Sequence, residues 1–309
     1  MSKNDEILRI GTRDSELATW QARNVADKLE SLGRETELVF VKSEGDIDQT
    51  TPLSETGGVG FFTKALDHAL LDGEVDLAVH SFKDLPTKTD LPVQVAAVLE
   101  REDPRDTLIA PGGTAFLEDP EYAAVIATGS NRRRAQWLHR FPHHTVTGIR
   151  GNVDTRIRKA QEADMDGVIL AAAGLKRIGL EHSISAYLDW MVPAPAQGAI
   201  AVVSRRDDNE LLELLRKINH DATERCTQLE REFLNVLEGG CSAPAGAYAT
   251  ISNEYLHFKA VALTLDGEEQ YEFIAREPLK ECKGLGRRAA EELLEKGAAE
   301  VIKALNSGS

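Results

Sequence analysis

The stretch Ile7–Gly45, ILRIGTRDSELATWQARNVADKLESLGRETELVFVKSEG, decides the fold class. ILRIGTR reads as a short buried strand that ends in a turn at Gly11-Thr12. The next segment places Leu17, Trp20, Val25 and Leu29 at roughly helical spacing, with Ser15 as a candidate N-cap and Gly33 as the stop. TELVFVKSEG then reads as a second strand. Strand, helix and strand in succession imply a parallel sheet with a right-handed crossover.

The pattern continues outward. SETGGVGFF (54–62) is glycine-rich but matches neither GxGxxG nor GxxxxGK[ST], so it reads as a mobile lid and not a nucleotide loop. FFTKALDHALLDG (61–73) is helical, and VDLAVHSFKDLP (75–86) runs from a buried strand into a turn. His80, Ser81, Lys83 and Asp84 therefore sit at a strand's C-terminal edge, where α/β sheets bind ligands. A second unit follows EREDPRDTLIA (100–110). Its segment AAVIATGSNRRRAQWLHRF reads strand, loop and helix, with Thr128, Gly129 and Ser130 at an anion-attracting helix start. GVILAAAGL (167–175) reads as a fully buried parallel strand, and PAPAQGAIAVVSRR (193–206) as a crossing back into the first unit. From about Asp221 a helix, an alternating segment with an Asp266-Gly267 hairpin signal and a closing helix make a small α+β unit.

The expected organisation is residues 1–99 with 198–218 as one α/β domain, 100–197 as a second, and 219–309 as the third. Three domains suit a chain of 309 residues. No apolar run approaches the ~20 residues that span a membrane, and MSKNDEILRI lacks the apolar core of a signal peptide, so a cytoplasmic protein is expected. A net charge of −15 argues against nucleic acid as a partner. The cysteines Cys226, Cys241 and Cys282 are too few and too far apart for a disulfide framework or a zinc site, and no metal is expected.

Charge is unevenly spread. Residues 128–158 hold seven arginines and one acid, Asp154. Such an island is either a solvated helix face or a pocket for a small polyanion, because the planar guanidinium pairs with carboxylates in bidentate fashion. Arg13 and Lys83-Asp84 join it at predicted strand ends, and two facing α/β units make a cleft. Each residue also has an ordinary reading. Asp84 beside Lys83 can be an exposed turn charge, and His80 a packed strand residue. His143-His144 reads as a loop, Cys226 as an inert helical thiol, and Cys282 as part of an exposed charged stretch. Cys241 lies in LEGGCSAPAGAY (237–248), which is turn chemistry, and reads either as a small hydrophobe or as a thiol held out for covalent work.

GTRDSELATWQA (11–22), VHSFKDLP (79–86), EREDPRD (100–106), IRGNVDTRIRK (149–159), LAAAGLKRIGL (170–180), AQGAIAV (196–202) and LEGGCSAPAGAY occur in one order along nearly the whole chain. Together they resemble the porphobilinogen deaminase (hydroxymethylbilane synthase) family. The resemblance implies two periplasmic-binding-protein-like α/β domains flanking a cleft, with a small C-terminal α+β domain. It implies a transferase of porphyrin and heme biosynthesis that links four porphobilinogen units head to tail, releases ammonia and yields hydroxymethylbilane. The cofactor would be a covalent dipyrromethane, tethered by a thioether at Cys241. A monomer that binds neither membrane nor nucleic acid is expected.

By motif position, Asp84 is the catalytic acid. Ser81, Lys83, Thr128, Ser130, Arg132, Arg133, Arg150 and Gly151 fall on the cofactor, and Arg13, Ser15, Arg156, Arg177 and Gln197 on the substrate. Gly57, Gly58, Gly60 and Phe62 form the lid. The chemistry fits the arginines, since each pyrrole ring carries an acetate and a propionate. Deamination protonates a departing amine and leaves a cationic ring, which one carboxylate can stabilise. The chain departs from the family pattern at Glu55 and Val59, where lysines are common, and at Gly129, where GTSSLRR has serine. It departs again at Ala196, where GQGA has glycine, and at Glu16, where proline is frequent. Two other readings stand beside this one. A non-catalytic anion-binding module would leave the glycine-loop cysteine unexplained, and a thiol-redox protein lacks a nearby resolving cysteine.

Overall fold

Ser15 starts the first helix: its Oγ accepts from the Ala18 N–H at 3.3 Å. The protein is known from a computed structural model, in which residues 6–42, 63–237 and 243–301 are described. Elements in chain order are β1 (Leu8–Thr12), α1 (Glu16–Glu30), β2 (Thr36–Phe40), α2 (Lys64–Leu71), β3 (Leu77–Ser81) and β4 (Val93–Val98). Then come β5 (Asp106–Ile109), β6 (Val125–Ala127), α3 (Asn131–Arg140), β7 (Thr145–Thr147), α4 (Val153–Glu162), β8 (Gly167–Ala171), α5 (Ala172–Arg177) and β9 (Ala186–Tyr187). The chain continues through β10 (Ile200–Arg205), α6 (Asn209–Arg216), α7 (Asp221–Val236), β11 (Ala245–Ser252), β12 (Tyr255–Leu263), β13 (Gln270–Pro278) and α8 (Leu285–Leu293).

Two five-stranded sheets repeat one design. The first has the order β2-β1-β3-β10-β4 and the second β7-β6-β8-β5-β9. In each, three strands run parallel, and the fourth is antiparallel to its neighbours. That fourth strand is where the chain crosses between units: β5 opens the second sheet and β10 re-enters the first. The sheets are therefore mixed, not parallel as read from the sequence. The first is covered on both faces, by α1 and α6 on one side and α2 on the other. Ala22, Val25, Ala26 and Leu29 form the buried stripe of α1.

GVILAAAGL is not one strand. Pairing ends at Ala171 and α5 begins at Ala172. β8 is parallel to β6 but antiparallel to β5. The run is buried except at half-buried Ala171, and burial alone does not separate a strand from a short core helix.

The third unit is an antiparallel meander, β11-β12-β13. Leu256, Phe258, Ala260 and Ala262 alternate inward on β12 against Phe233 of α7 and Leu293 of α8. Cys282 is half-buried against this core, not exposed, and its Sγ donates to the Leu279 carbonyl at 3.2 Å.

The two crossings lie side by side. The Glu102 N–H donates to the Gly198 carbonyl at 3.1 Å, and the Leu99 N–H to Ile200 at 3.0 Å. Gly198 has φ +86°, and a Cβ there would lie 2.4 Å from the Glu102 carbonyl oxygen, so the contact requires glycine. Among the described residues, no helix is long and apolar enough to cross a membrane, and no group of three or more His, Cys, Asp or Glu could hold a metal ion.

Candidate active site

The C-terminal end of β3 and the start of α1 form one wall of a cleft. Arg13, Ser15, Gln21, Thr63, His80, Ser81 and Asp84 line a cavity of about 90 Å³. Ser81 is held by Gln21, whose Nε2 donates to its Oγ at 2.9 Å. Asp84 ends a single 3-10 turn, Phe82–Asp84, and is exposed.

The second unit supplies the arginines, and the structure sorts them. Arg132 Nη1 donates to Asp106 Oδ2 at 2.7 Å and to the Val192 carbonyl at 2.8 Å. Arg133 Nε donates to Asp106 Oδ1 at 2.8 Å, and its Nη1 to the Ile169 carbonyl at 2.9 Å. Gln197 Nε2 reaches the same Oδ1 at 3.0 Å, and its Oε1 accepts from Lys83 Nζ at 3.1 Å. Asp106 is fully buried. Burial opposes its charge, but Arg132 and Arg133 outweigh burial and hold the carboxyl below the usual carboxylate range.

Arg156 also belongs to this cluster, with its Nε donating to the Gly151 carbonyl at 2.8 Å. Burial, and then repulsion from Arg133, push Arg156 down to about 10 and Lys83 down to about 8. Arg150 adds to the repulsion on Arg156, while the Asp84 charge opposes the shift on both Lys83 and Arg156. Among the described residues, the cluster thus sets Lys83, Arg132, Arg133, Arg150 and Arg156 against the carboxylates of Asp84 and Asp106.

Other expected residues hold the scaffold. Ser130 caps α3, accepting from the Arg133 N–H at 3.4 Å, and Thr128 Oγ1 accepts from the Ser130 N–H at 3.3 Å. Arg177 is buried, donates to the Gly198 carbonyl at 2.6 Å and lies 5.6 Å from the Trp20 ring. Of the remaining island, Arg134 donates to the Val146 carbonyl, Arg140 lies over Trp190, and Arg158 pairs with Glu162 on the surface. Those three are the ordinary face of the island. His144 accepts from Trp137 Nε1 at 3.2 Å inside the second unit's core. Burial pushes the Cys226 thiol up to about 12, which leaves it inert.

Asp106 and Gln21 escaped the sequence reading, although both lie inside quoted motifs, EREDPRD and GTRDSELATWQA. The available signal for Asp106 was an acid leading into the apolar run Leu108-Ile109-Ala110. The lid residues Gly57, Gly58, Gly60 and Phe62, the departures Glu55 and Val59, and Cys241 lie outside the described residues. The flanks of the Cys241 segment, Leu237 and Ala243, are both buried in the third unit's core. Gly246 packs against the Val192 carbonyl, which also accepts from Arg132.

Among the described residues, a two-unit α/β cleft sets an excess of guanidinium and ammonium around the exposed carboxylate of Asp84, an arrangement suited to multiply charged carboxylate ligands. Residues 8–213 match the family described as "Porphobilinogen deaminase, dipyromethane cofactor binding domain", and residues 224–295 match "Porphobilinogen deaminase, C-terminal domain". The chain belongs to the porphobilinogen deaminase family. It is 44% identical over 299 residues to the porphobilinogen deaminase of Syntrophomonas wolfei, covering 96% of this chain and 97% of the relative. Identity to that of Carboxydothermus hydrogenoformans is 43% over 298 residues, covering 95% and 96%. A periplasmic substrate-binding protein of an ABC transporter from Coxiella burnetii superposes with a TM-score of 0.44 at 13% identity, covering 71% of this chain and 94% of that one.

The chain is accordingly a hydroxymethylbilane synthase that uses a dipyrromethane cofactor, and a non-catalytic anion-binding module is not favoured. The donor set fits the cofactor: two linked pyrroles carry four carboxylates, and among the described residues the cleft offers cations in excess of its own acids.

Proposed function

We propose that this cleft carries out the condensation with Asp84 as its catalytic carboxylate and Cys241 as the cofactor tether. The observation that carries the reading is the contrast between the two cleft carboxylates. Asp106 is buried under Arg132, Arg133 and Gln197, whereas Asp84 is exposed and feels the charges of Lys83, Arg133 and Arg156. Asp84 can accept from pyrrole N–H groups and offset the positive charge that develops as the aminomethyl C–N bond breaks and the amine leaves as ammonia. Lys83, Arg133, Arg150 and Arg156 hold acetate and propionate arms, with Arg132 and Gln197 fixing Arg133 and Lys83 through the Asp106 node. When bound, the dipyrromethane supplies the nucleophilic pyrrole carbon to which the first unit is joined.

Gly246 lies five positions after Cys241, at most ~17 Å of chain, and adjoins the carbonyl shared with Arg132. That reach supports a tether at the cleft. Sheet membership supports the division into 1–99 with 198–218, 100–197 and 219–309. A monomer is part of the same reading, since one chain supplies both walls of the cleft. So is a cytoplasmic location, which suits the free thiols Cys226 and Cys282.

Intact mass under denaturing conditions, read beside turnover, tests the assignment. Asp84→Asn is expected to keep the mass increment of two pyrrole units and lose nearly all turnover. Cys241→Ala is expected to lose the increment. Near-normal turnover in the first variant, or a retained increment in the second, removes that residue from its role.

A further inference from the structure

The wall behind Asp84 holds two polar atoms that the mechanism leaves unused. Thr63 occupies the N-cap position of α2, yet its side chain makes no capping bond. It is 1% exposed, and its Oγ1 meets no hydrogen-bond partner. His80, next to last in β3, is 6% exposed, and its Nε2 is likewise buried without a partner. Both residues line the cavity that also holds Arg13, Ser15 and Asp84. A buried donor left without an acceptor is costly, because it has given up water and gained nothing in return. Two of them on side chains that line one cavity call for a ligand that satisfies both.

The chemistry of the wall selects the ligand. Burial, and then the charge of Arg13, push His80 down to about 4. The imidazole is therefore neutral near pH 7, and it can offer one N–H at Nε2. Thr63 offers one O–H. Arg13 beside them favours an anion over an ammonium group. Two neutral donors next to a guanidinium match one carboxylate, whose two oxygens accept up to about four hydrogen bonds.

We propose that Thr63 Oγ1 and His80 Nε2 donate to one carboxylate arm of the incoming porphobilinogen, with Arg13 as its counter-ion. The inference rests on the reading of this cleft as the substrate site. It makes both residues substrate contacts and gives the pocket a preference for a pyrrole that carries that arm.

Thr63→Val keeps the side-chain shape and removes the hydroxyl. In the cofactor-free protein it deletes an unsatisfied group, so the melting temperature should hold or rise, whereas loss of a merely structural hydrogen bond would lower it. In the holoenzyme, KM for porphobilinogen should rise about tenfold, the factor that corresponds to about 1.4 kcal/mol, and by more than kcat falls. His80→Leu should act in the same direction, and His80→Gln, which keeps a donor near the Nε2 position, should recover part of the loss. KM within about twofold of wild type in both Thr63→Val and His80→Leu, with both variants folded, overturns the proposal. So does loss of the cofactor mass increment with KM unchanged in the fraction that stays loaded, since that assigns the pair to the cofactor. Failure of the wild-type holoenzyme to turn over porphobilinogen would instead sink the reading of the cleft, and the wild-type control separates the two.

Discussion

Asp106 and Glu230 are both fully buried carboxylates, and they put their arginines to opposite uses. Glu230 Oε1 accepts from Arg101 Nη1 and the Ala249 N–H, each at 2.8 Å. Its Oε2 accepts from Arg101 Nη2 at 2.6 Å and the Ala196 N–H at 2.7 Å. One charge meets one charge and both oxygens are filled. The donors come from the first crossing, the second crossing and β11, so a single side chain of α7 ties the third unit to both crossings. Asp106 also fills its oxygens, but with two guanidiniums and the Gln197 amide. One positive charge is left over, and Arg133 carries it into the cleft, where it acts on Lys83, Arg156 and Asp84. A balanced counter-ion makes a joint. An under-balanced one makes a binding site.

The comparison breaks most directly at the joint. Glu230→Gln should cost about 3–5 kcal/mol, because it strands a buried guanidinium. Added polycarboxylate should not restore that loss. Asp106→Asn strands two buried guanidiniums and should cost at least as much in the cofactor-free protein, but millimolar citrate should recover part of its melting temperature by supplying negative charge at the cleft. Equal rescue of both variants by citrate would mean that the two nodes do not differ in the way described.

A smaller effect follows from Lys83. Its pKa is lowered to about 8, so burial beside Arg133 favours the neutral amine. The destabilisation from folding around the ammonium is complete below about 8 and fades as pH rises toward the unfolded value. Anion binding runs the other way, since the cleft loses this charge above about 8. Affinity of the cofactor-free protein for citrate, followed by calorimetry, should fall as pH rises through about 8. Lys83→Arg should move that fall to higher pH, and a flat wild-type profile would contradict the assignment.

The smallest effect sharpens the joint. Ala196 sits at φ +63°, in the left-handed region, with its N–H on Glu230. The Glu230 anchor holds a conformation that alanine disfavours by about 1–2 kcal/mol. Ala196→Gly should stabilise the fold by up to about 1 kcal/mol, partly offset by the greater freedom of glycine in the unfolded chain. A drop in melting temperature would show that the backbone there is not strained. At the other departure, a Cβ on Gly129 would lie 3.0 Å from the Ile149 carbonyl oxygen, so a serine there would need the backbone to give slightly.

Much of the fold was legible because local patterns encode it. Ser15 as a cap and the Asp266-Gly267 hairpin rest on neighbours a few residues apart, and Val25 and Leu29 fall on the buried stripe of α1, whereas Trp20 at the same helical spacing is exposed. The antiparallel fourth strands were not legible, because strand direction is set by how the crossings travel between units and not by side-chain period. GVILAAAGL misled for a related reason: a run buried on all sides carries no periodicity to read.

Sequence by itself determined the ordered motifs, and with them the family, the reaction and the cofactor. It also showed an arginine island that a chain of net charge −15 had to explain. Only tertiary structure decided which arginines do what. Arg158 pairs with a surface neighbour four residues away, whereas Arg132 and Arg133 meet an aspartate 26 and 27 residues earlier. Arg101 meets a glutamate 129 residues later. A charge along the chain has no assigned partner until packing removes water and leaves one carboxylate within hydrogen-bonding distance. That selection turned a stretch of arginines into surface, scaffold and binding site.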